Sequence, residues 1–443
     1  MNEMRYNIKI SMAESKKEDY STININSLQC SFENIMRYNF SVSPNCCIFR
    51  TPTILYRHNE AAYKPNAFSF GPLHHGKQLE FTQKIKWDYL QGLLGRSTCP
   101  EKLYSELVQT ISSVEAEARN CYAESIGLTT EKFVEILLLD GCFISELFRK
   151  DAKEELRDPN DPIFTIACLQ EYLNHDLILL ENQIPWLVLE RLFTLTKLSP
   201  NESLIKLTLD FFGNLFSSKK PSVTENHFQE RKIEIKHILD LLRHSLLLPL
   251  SPDKLKQKDG GWEPLPCATK LKQAGIKFEK EMRDTILDIN FRNGVLKIPP
   301  LLIQETTETM LRNLISFEQS YPNYAPIITS FAKLMDDLVD TENDVEILAE
   351  NDSIDNWLKS QDAKQFFNKL YHDTFVKQFF YHDICHQMNK HRKRWWPRLR
   401  FFYLHNFTTP LALVSQVVGA ILLILTFLQT LYSILGVVGD KKS

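Results

Sequence analysis

Residues 406–439 read NFTTPLALVSQVVGAILLILTFLQTLYSILGVVG and contain no charged side chain. As a helix, residues 411–438 would be about 42 Å long, whereas the hydrocarbon core of a bilayer is about 30 Å thick. Helices in a protein core rarely run this far without a charge. The pattern therefore predicts one C-terminal transmembrane helix over residues 405–439, followed by a short tail at 440–443.

The charges on either side of this segment predict its orientation. Six basic side chains lie at positions 390–400, whereas only Lys441 and Lys442 follow the segment. Because basic residues stay on the cytosolic side of a membrane, we expect a tail-anchored, single-pass protein of the plasma membrane or an endomembrane, with a cytosolic body. Lateral pairing with a second helix is also expected, since Ser415 and Gly419 have small-xxx-small spacing. The expected membrane-interface residues are Arg392, Lys393, Arg394, Trp395, Trp396, Arg398 and Arg400.

The composition of the whole chain is that of an ordinary globular protein. Of its 443 residues, 43% are hydrophobic and 24% are charged. The net charge of -3 gives no general attraction to nucleic acid, so we expect no nucleic-acid partner. The nine cysteines include no C-x-x-C pair, which is typical of a reducing compartment.

The pattern of the body predicts a mainly α fold. Residues 1–44 mix charged and polar side chains with weak periodicity, which predicts a mobile N-terminal segment. Residues 45–404 are expected to form a large, mostly helical soluble body, with a candidate linker at 248–266, where prolines and glycines concentrate. The predicted helices of the first part run over residues 77–94, 101–126, 130–150, 164–196, 202–216 and 227–247.

One short stretch predicts β structure. Residues 286–303 read ILDINFRNGVLKIPPLLI and alternate apolar and polar positions around Asn293 and Gly294. This dipeptide is favoured in a type I′ turn because both central residues need positive φ. We therefore predict a small β-hairpin.

Motifs for cofactor chemistry are incomplete in this chain. Residues 71–77 match the phosphate-loop pattern G-x-x-x-x-G-K, but Gln78 replaces the Ser or Thr that binds magnesium, and Pro72 removes a backbone donor. His382 and His386 lie one helical turn apart without a third and fourth zinc ligand nearby. The sequence therefore predicts no catalytic residue, no cofactor and no metal site.

Two acidic residues lie among apolar neighbours. Asp140 and Asp176 occupy positions that point towards the core at helical spacing. Buried carboxylates need hydrogen bonds or a cation, because isolation raises their pKa and neutralises them. We expect a structural role in which these acids tie a looped segment, residues 47–77, to the helices. The candidate residues of this structural network are Arg50, Arg119, Asp140, Asp176, Glu181, Asn182 and Gln183.

Motifs along the chain resemble a known family. They are FRTP at 49–52, YKP at 63–65, GPLHHG at 71–76, RNCY at 119–122, FVEILLLDGCF at 133–143, LLENQIP at 179–185, ATKLKQAGIKF at 268–278 and FEQ at 317–319. This ordered set is similar to the plant proteins built on domain of unknown function 247, also catalogued as uncharacterised protein family 0481. The chain departs from the family pattern at Leu411, where many members have tryptophan. The resemblance implies the fold and the membrane anchor, and it implies no reaction.

The resemblance also bears on function. Grass members of the family are associated with pollen-side recognition in self-incompatibility, which suggests protein recognition without transferring that role to this chain. We therefore expect a membrane-anchored, non-enzymatic recognition or signalling scaffold with an unidentified protein partner. The alternative is an enzyme in which His74, His75, Asp176 and Glu181 converge around an open cleft. A third interpretation assigns residues 390–403 to the recognition of anionic lipid.

Overall fold

The computed structural model describes residues 30, 32, 43, 45–76, 79–213, 223–255, 261–351, 354–356, 359–376, 378–393 and 410–440. The chain divides into two units, Met1–Pro44 and Asn45–Ser443. Nearly all of the first unit lies outside the described residues, so the architecture below is that of the second. The mobile segment at 1–44 and the linker at 248–266 stay predictions.

The second unit is mainly helical, as the sequence predicts. Among the described residues, three short 3₁₀ helices span Glu60–Tyr63, Glu154–Leu156 and Leu180–Asn182. The α-helices before the sheet are α1 Thr53–Tyr56, α2 Glu80–Gly95, α3 Pro100–Ser113, α4 Glu115–Arg119, α5 Thr130–Ala152, α6 Pro162–Thr165, α7 Ala167–Leu177, α8 Trp186–Leu195, α9 Leu204–Phe211, α10 Glu225–Glu230, α11 Ile238–Leu247, α12 Pro252–Leu255 and α13 Ala268–Gln273. Those after it are α14 Glu305–Ser320, α15 Ile327–Leu338, α16 Glu342–Glu350, α17 Ser360–Leu370, α18 His382–Arg392 and α19 Pro410–Asp440.

Helix α5 lies at the centre of the first group of helices. The Thr129 side chain caps it by accepting a hydrogen bond from Lys132 N, and α2, α3, α8 and α9 pack around it. A helix that is apolar on every face is stable only when it is enclosed, and α5 is buried from Phe133 through Arg149 except at one position. Gly141 permits close packing, because a Cβ there would collide with Leu192 of α8.

In the part of the chain that the structure describes, short strands form two small sheets. The strands are β1 Lys277–Lys280, β2 Asn290–Arg292, β3 Val295–Ile298, β4 Leu301–Ile303 and β5 Ile354–Asn356. The first sheet has the order β1-β3-β2, with β1 parallel and β2 antiparallel to β3, and β4 pairs with β5 in parallel. Asn293 and Gly294, at the turn between β2 and β3, have φ of 53° and 81°. The predicted hairpin is therefore present, and both turn residues adopt the positive φ that a type I′ turn requires.

The two groups of helices share one hydrophobic core, which extends from Cys47 to Met388. Helix α14 connects them, since it packs against α7, α11, α15 and α17. The predicted helix at 164–196 is divided into α6, α7, a 3₁₀ turn and α8. The division is consistent with the sequence, because Pro185 lacks the N–H that a continuous helix needs.

The C-terminal segment requires a correction. Residues Pro410–Asp440 are helical. Across the described part of the chain, no helix combines the length and the apolar character needed to cross a membrane. This finding contradicts the predicted transmembrane helix at 405–439, the tail anchor and the single-pass membrane localisation.

Two of the predicted membrane-interface residues lie within the described part of the chain. Arg392 ends α18, and the backbone N–H of Lys393 donates to Asn389 O at 3.2 Å. Their interfacial role stays a prediction. The remaining predicted interface residues, Arg394, Trp395, Trp396, Arg398 and Arg400, lie outside the described residues.

Candidate functional site

Asp176, at the end of α7, holds the looped segment through its backbone. The carboxylate is fully buried and accepts hydrogen bonds from the N–H groups of Asn66 at 2.7 Å, Ala67 at 2.9 Å and Phe68 at 2.7 Å. His175 Nδ1 lies 2.9 Å from one of its oxygens. Three consecutive backbone donors that have no strand or helix partner are thus satisfied by one side chain.

Asn182 continues this arrangement along the segment. Its Oδ1 accepts from Phe70 N at 2.7 Å, while its Nδ2 donates to Phe68 O at 2.9 Å and to Asp176 O at 2.8 Å. An amide supplies both a donor and an acceptor, so it can pair with the extended backbone as a neighbouring strand would.

Asp140, on α5, binds the next residue of the segment and a lysine. It accepts from Gly71 N at 2.8 Å and from Lys86 Nζ at 2.6 Å, and both charged side chains are buried. Lys86 also donates to Ser69 O at 2.5 Å. Burial raises the pKa of Asp140, and the positive charge of Lys86 opposes that increase.

Glu181 holds the beginning of the looped segment. Its carboxylate accepts hydrogen bonds from Thr51 N at 2.9 Å, from Arg50 Nη1 at 3.2 Å and from the Tyr56 hydroxyl. His74 Nε2 lies 3.4 Å away. Burial by itself would raise the pKa of Glu181, but contacts from His74, Tyr56 and Thr51 outweigh it and hold the pKa below its usual value.

The other predicted residues have different partners. Arg50 also pairs with Glu124 at 2.7 Å, and Arg119 pairs with Glu115 and donates to the backbone oxygens of Ile126 and Leu128. Within the described contacts neither arginine bonds to Asp140 or Asp176.

Gln183 completes the network within its own loop. Its Nε2 donates to Leu177 O at 2.7 Å and to Leu179 O at 2.8 Å.

The cation at Asp140 is Lys86, a partner that the sequence did not predict. A signal was present, because Lys86 lies on the same face of α2 as Thr82, Tyr89 and Leu93, all of which are buried.

The enzyme alternative placed His74, His75, Asp176 and Glu181 around one open cleft. His74, Asp176 and Glu181 are all buried, and the two acids bind separate parts of the looped segment. Burial and the charge of Lys132 lower the pKa of His75. None of these four residues lines either of the two cavities described next.

A first cavity of about 460 Å³ lies beside β1. Its floor is partly apolar, with Ile276 and Phe278, and its rim carries charged and polar side chains. The lining residues are Lys272, Gln273, Gly275, Ile276, Lys277, Phe278, Glu279 and Asn351. A cavity of this size with a mixed lining suits a few side chains of a peptide.

Strand β1 presents one edge to this region. On its other edge, Lys277 N donates to Gly294 O at 2.9 Å and Glu281 N donates to Ile298 O at 3.2 Å. Because backbone groups alternate between the two edges of a strand, those of Phe278 and Lys280 are directed away from β3. Within the described residues, β1 pairs with no strand other than β3.

A second cavity, of about 400 Å³, is acidic. Asp336, Asp337 and Asp340 line it, and Lys333 already pairs with Asp336 at 3.0 Å and with Asp337 at 2.8 Å. In the part of the chain that the structure describes, no group of three or more His, Cys, Asp or Glu side chains could hold a metal ion.

Comparison with known proteins identifies the family. Residues 48–425 match the family model DUF247, described as "Plant protein of unknown function". The chain is 29% identical over 440 residues to the UPF0481 protein At3g47200 of Arabidopsis thaliana, covering 93% of this chain and 91% of that protein. It is 21% identical over 426 residues to the putative UPF0481 protein At3g02645 of the same plant, covering 73% and 77%. No solved structure matches the chain. Since the family model covers most of its length, the chain belongs to the DUF247 family of plant proteins of unknown function.

Proposed function

We propose that this chain is a non-enzymatic recognition or signalling scaffold that binds an extended, acidic segment of a partner protein along β1. The observation that carries the proposal is the exposed edge of β1 beside the cavity of about 460 Å³. A peptide added to a sheet edge gains affinity from backbone hydrogen bonds and specificity from pockets for alternate side chains.

The backbone of β1 supplies the first requirement of this mode. The N–H and C=O groups of Phe278 point away from β3, in the direction from which an added strand would pair. Residues Lys277, Glu279 and Lys280 are exposed, whereas the Phe278 side chain is buried and anchors the strand to the core. Strand addition therefore needs no rearrangement of the sheet.

Charge near the edge favours an acidic partner. Residues 270–280 read KLKQAGIKFEK and contain four lysines and one glutamate, in a chain whose net charge is -3. Lys272 and Lys277 line the cavity. An extended peptide with alternating acidic and apolar residues would place its acids near these lysines and its apolar side chains against Ile276 and Phe278.

Charged residues on an exposed edge have a competing explanation. Lysines commonly protect edge strands from pairing with other chains. Protection of this kind predicts that no extended peptide binds at β1, whereas recognition predicts selective binding of acidic peptides. The two explanations differ in a direct binding measurement.

The buried network supports a scaffold more than an enzyme. Asp140, Asp176 and Glu181 are engaged by backbone N–H groups of the looped segment, so their hydrogen-bonding capacity is used within the fold. A catalytic carboxylate must instead reach a substrate directly or through one water.

The test uses the full chain and a fluorescein-labelled peptide of alternating Glu and Val, about six residues long as in a typical strand. A Gln and Val peptide is the neutral control. We expect fluorescence anisotropy to show binding of the acidic peptide that weakens with added salt. Binding of neither peptide, or equal binding of both, would contradict the proposal.

Variants locate the binding at β1. The double variant Lys272→Glu and Lys277→Glu should lose affinity, whereas Lys102→Glu on α3, also an exposed lysine, should not.

A further inference from the structure

Two cysteines meet where the looped segment first contacts the helices. Ile48 and Tyr122 form an isolated parallel β-bridge, in which Ile48 N donates to Cys121 O and Ala123 N donates to Ile48 O, both at 2.9 Å. The register of this bridge places Cys47 directly opposite Cys121. Neighbouring residues in a parallel pair have a Cα separation within the range that a disulfide spans, about 4.4 to 6.8 Å.

The two side chains interact. This interaction raises the pKa of Cys47 and lowers the pKa of Cys121, whose thiol also donates to Glu117 O at 3.4 Å. Burial and the charge of Glu117 oppose the lowering of the Cys121 pKa, and the positive charge of Lys236 supports it. A thiolate beside a second thiol is the arrangement in which one sulfur is oxidised and the other resolves the product.

The pair lies close to the protein surface. Cys121 is 5% exposed and Cys47 is 1% exposed, so a small oxidant reaches Cys121 first. Asn120 and Ala123, on either side of the bridge position, are exposed. A peroxide is smaller than a peptide disulfide and is the oxidant suited to this degree of access.

We propose that Cys47 and Cys121 form an oxidation site whose co-reactant is hydrogen peroxide and whose product is an intramolecular disulfide. The Cys121 thiolate attacks one peroxide oxygen, so that an S–O bond forms, the O–O bond breaks and hydroxide leaves to take up a proton as water. The Cys47 thiol then loses its proton and attacks the Cys121 sulfur, forming the S–S bond and releasing the second oxygen as water. Two thiols are oxidised and one peroxide is reduced to two waters.

Oxidation at this site would change how the looped segment is held. Residue 47 would be joined covalently to Cys121, the second residue after α4, so the first contact of the segment could no longer open. Thiols of a reducing compartment can reverse such a bond by exchange. The site therefore couples the looped segment to the local peroxide level, independently of whether β1 binds a peptide.

The experiment maps cysteine oxidation in the full chain by mass spectrometry. The reduced protein is treated with hydrogen peroxide, remaining thiols are blocked with an alkylating reagent, and the peptides are separated without reduction. We expect a peptide pair joined through Cys47 and Cys121 that disappears when dithiothreitol is added. If wild-type protein instead joins Cys46 to Cys121, or oxidises the exposed Cys99 and Cys168 while Cys121 stays alkylatable, the proposal is wrong.

Serine variants identify the role of each sulfur. Cys46→Ser is the matched control, because it removes the adjacent buried thiol and should leave the Cys47–Cys121 link intact. In Cys47→Ser, Cys121 should be trapped as a sulfenic acid by dimedone, and this labelling should be absent from Cys121→Ser. The wild-type peptide map decides the proposal by itself if a serine variant fails to fold.

Discussion

Lys86 Nζ lies 2.6 Å from Asp140 Oδ1 in an ion pair whose two side chains are buried. The ammonium group also lies 4.5 Å from the centre of the Phe70 ring and donates to Ser69 O. The lysine thereby joins α2 and α5 to the looped segment. Removing one member of a buried pair leaves the other charge without compensation, which is more destabilising than removing both.

The first prediction concerns Lys86→Met. This variant leaves Asp140 buried without its cation, and we expect the free energy of unfolding at pH 7 to fall by about 3 to 5 kcal/mol. Because a neutral carboxyl needs no cation, the deficit relative to wild type should shrink as the pH is lowered. Urea denaturation followed by circular dichroism measures both effects.

Controls separate the lost pair from the lost lysine side chain. The double variant Lys86→Met and Asp140→Asn should recover part of the stability at pH 7, because it removes the unpaired charge. Lys84→Met, at an exposed position on the same helix, should change stability little. A double variant less stable than Lys86→Met would contradict the role given to the pair.

The second prediction concerns Asp176→Asn. The carboxylate accepts three backbone N–H groups with two oxygens, and asparagine has one oxygen and a donor in place of the other. We expect a loss of about 2 to 4 kcal/mol in unfolding free energy, because buried donors lose their acceptor. Asp88→Asn, at an exposed position on α2, is the control. Unchanged stability in Asp176→Asn would favour a chemical role for this acid.

The hairpin and the central helix α5 could be predicted because their signals are local. Asn293 and Gly294 specify a turn by their own backbone preferences, and α5 is a long apolar run with a capping threonine before it. The pairing of Lys86 with Asp140 joins residues far apart in sequence, and periodicity assigns a residue to a face without assigning its partner. For the C-terminal segment, the apolar composition correctly predicted a helix. It also predicted a membrane span, which the described residues do not support.

The sequence also does not predict that buried acidic side chains bind the backbone of the looped segment. Asp140 and Asp176 were expected to need hydrogen bonds or a cation, but the candidate partners included Arg50 and Arg119, which bond elsewhere. The looped segment itself supplies most of the donors, through N–H groups that every non-proline residue carries. Such donors leave no trace in the sequence, so only the fold identifies them.

The third prediction concerns pH and His237. Its Nε2 lies 3.1 Å from Cys47 O and its Nδ1 accepts from Asp240 N at 3.2 Å, which is the pattern of a neutral imidazole that caps α11. Burial lowers the pKa of His237 from 6.5 to about 4. The unfolded chain therefore binds a proton at higher pH than the folded chain does. The contribution of His237 to the free energy of unfolding is therefore fully present above pH 6.5 and is lost as the pH falls towards 4.

Between pH 6.5 and 4, the protonation difference at His237 should lower the free energy of unfolding by up to about 3 kcal/mol. His237→Asn keeps an oxygen that can cap α11 but cannot titrate, so its stability should be lower at pH 7 and should vary less between pH 6.5 and 4. His386→Asn, at an exposed position, should follow the wild-type pH curve. Denaturant melts at several pH values measure the difference, and equal slopes for His237→Asn and wild type would contradict the assignment.

The fourth prediction compares two glycines of the looped segment, Gly71 and Gly76. Both have positive φ, 67° and 89°, which side chains with a Cβ adopt at a cost. A Cβ on Gly71 would also lie 2.7 Å from Gln183 O and 3.0 Å from the Tyr122 hydroxyl, whereas a Cβ on Gly76 would have nothing within 4 Å. Gly76→Ala therefore measures the cost of backbone conformation alone, about 1 kcal/mol.

Gly71→Ala adds a steric collision to the same backbone cost. The colliding atom is a backbone oxygen that cannot rotate away, so the Gly71 N–H would have to move from Asp140 and weaken that hydrogen bond. We expect a total loss of about 3 kcal/mol or more in unfolding free energy, well above that of Gly76→Ala. Thermal unfolding monitored by calorimetry ranks the two variants. Equal losses would mean that the looped segment moves away from Asp140 without penalty, and the proposed role of the buried acids in holding it would then be wrong.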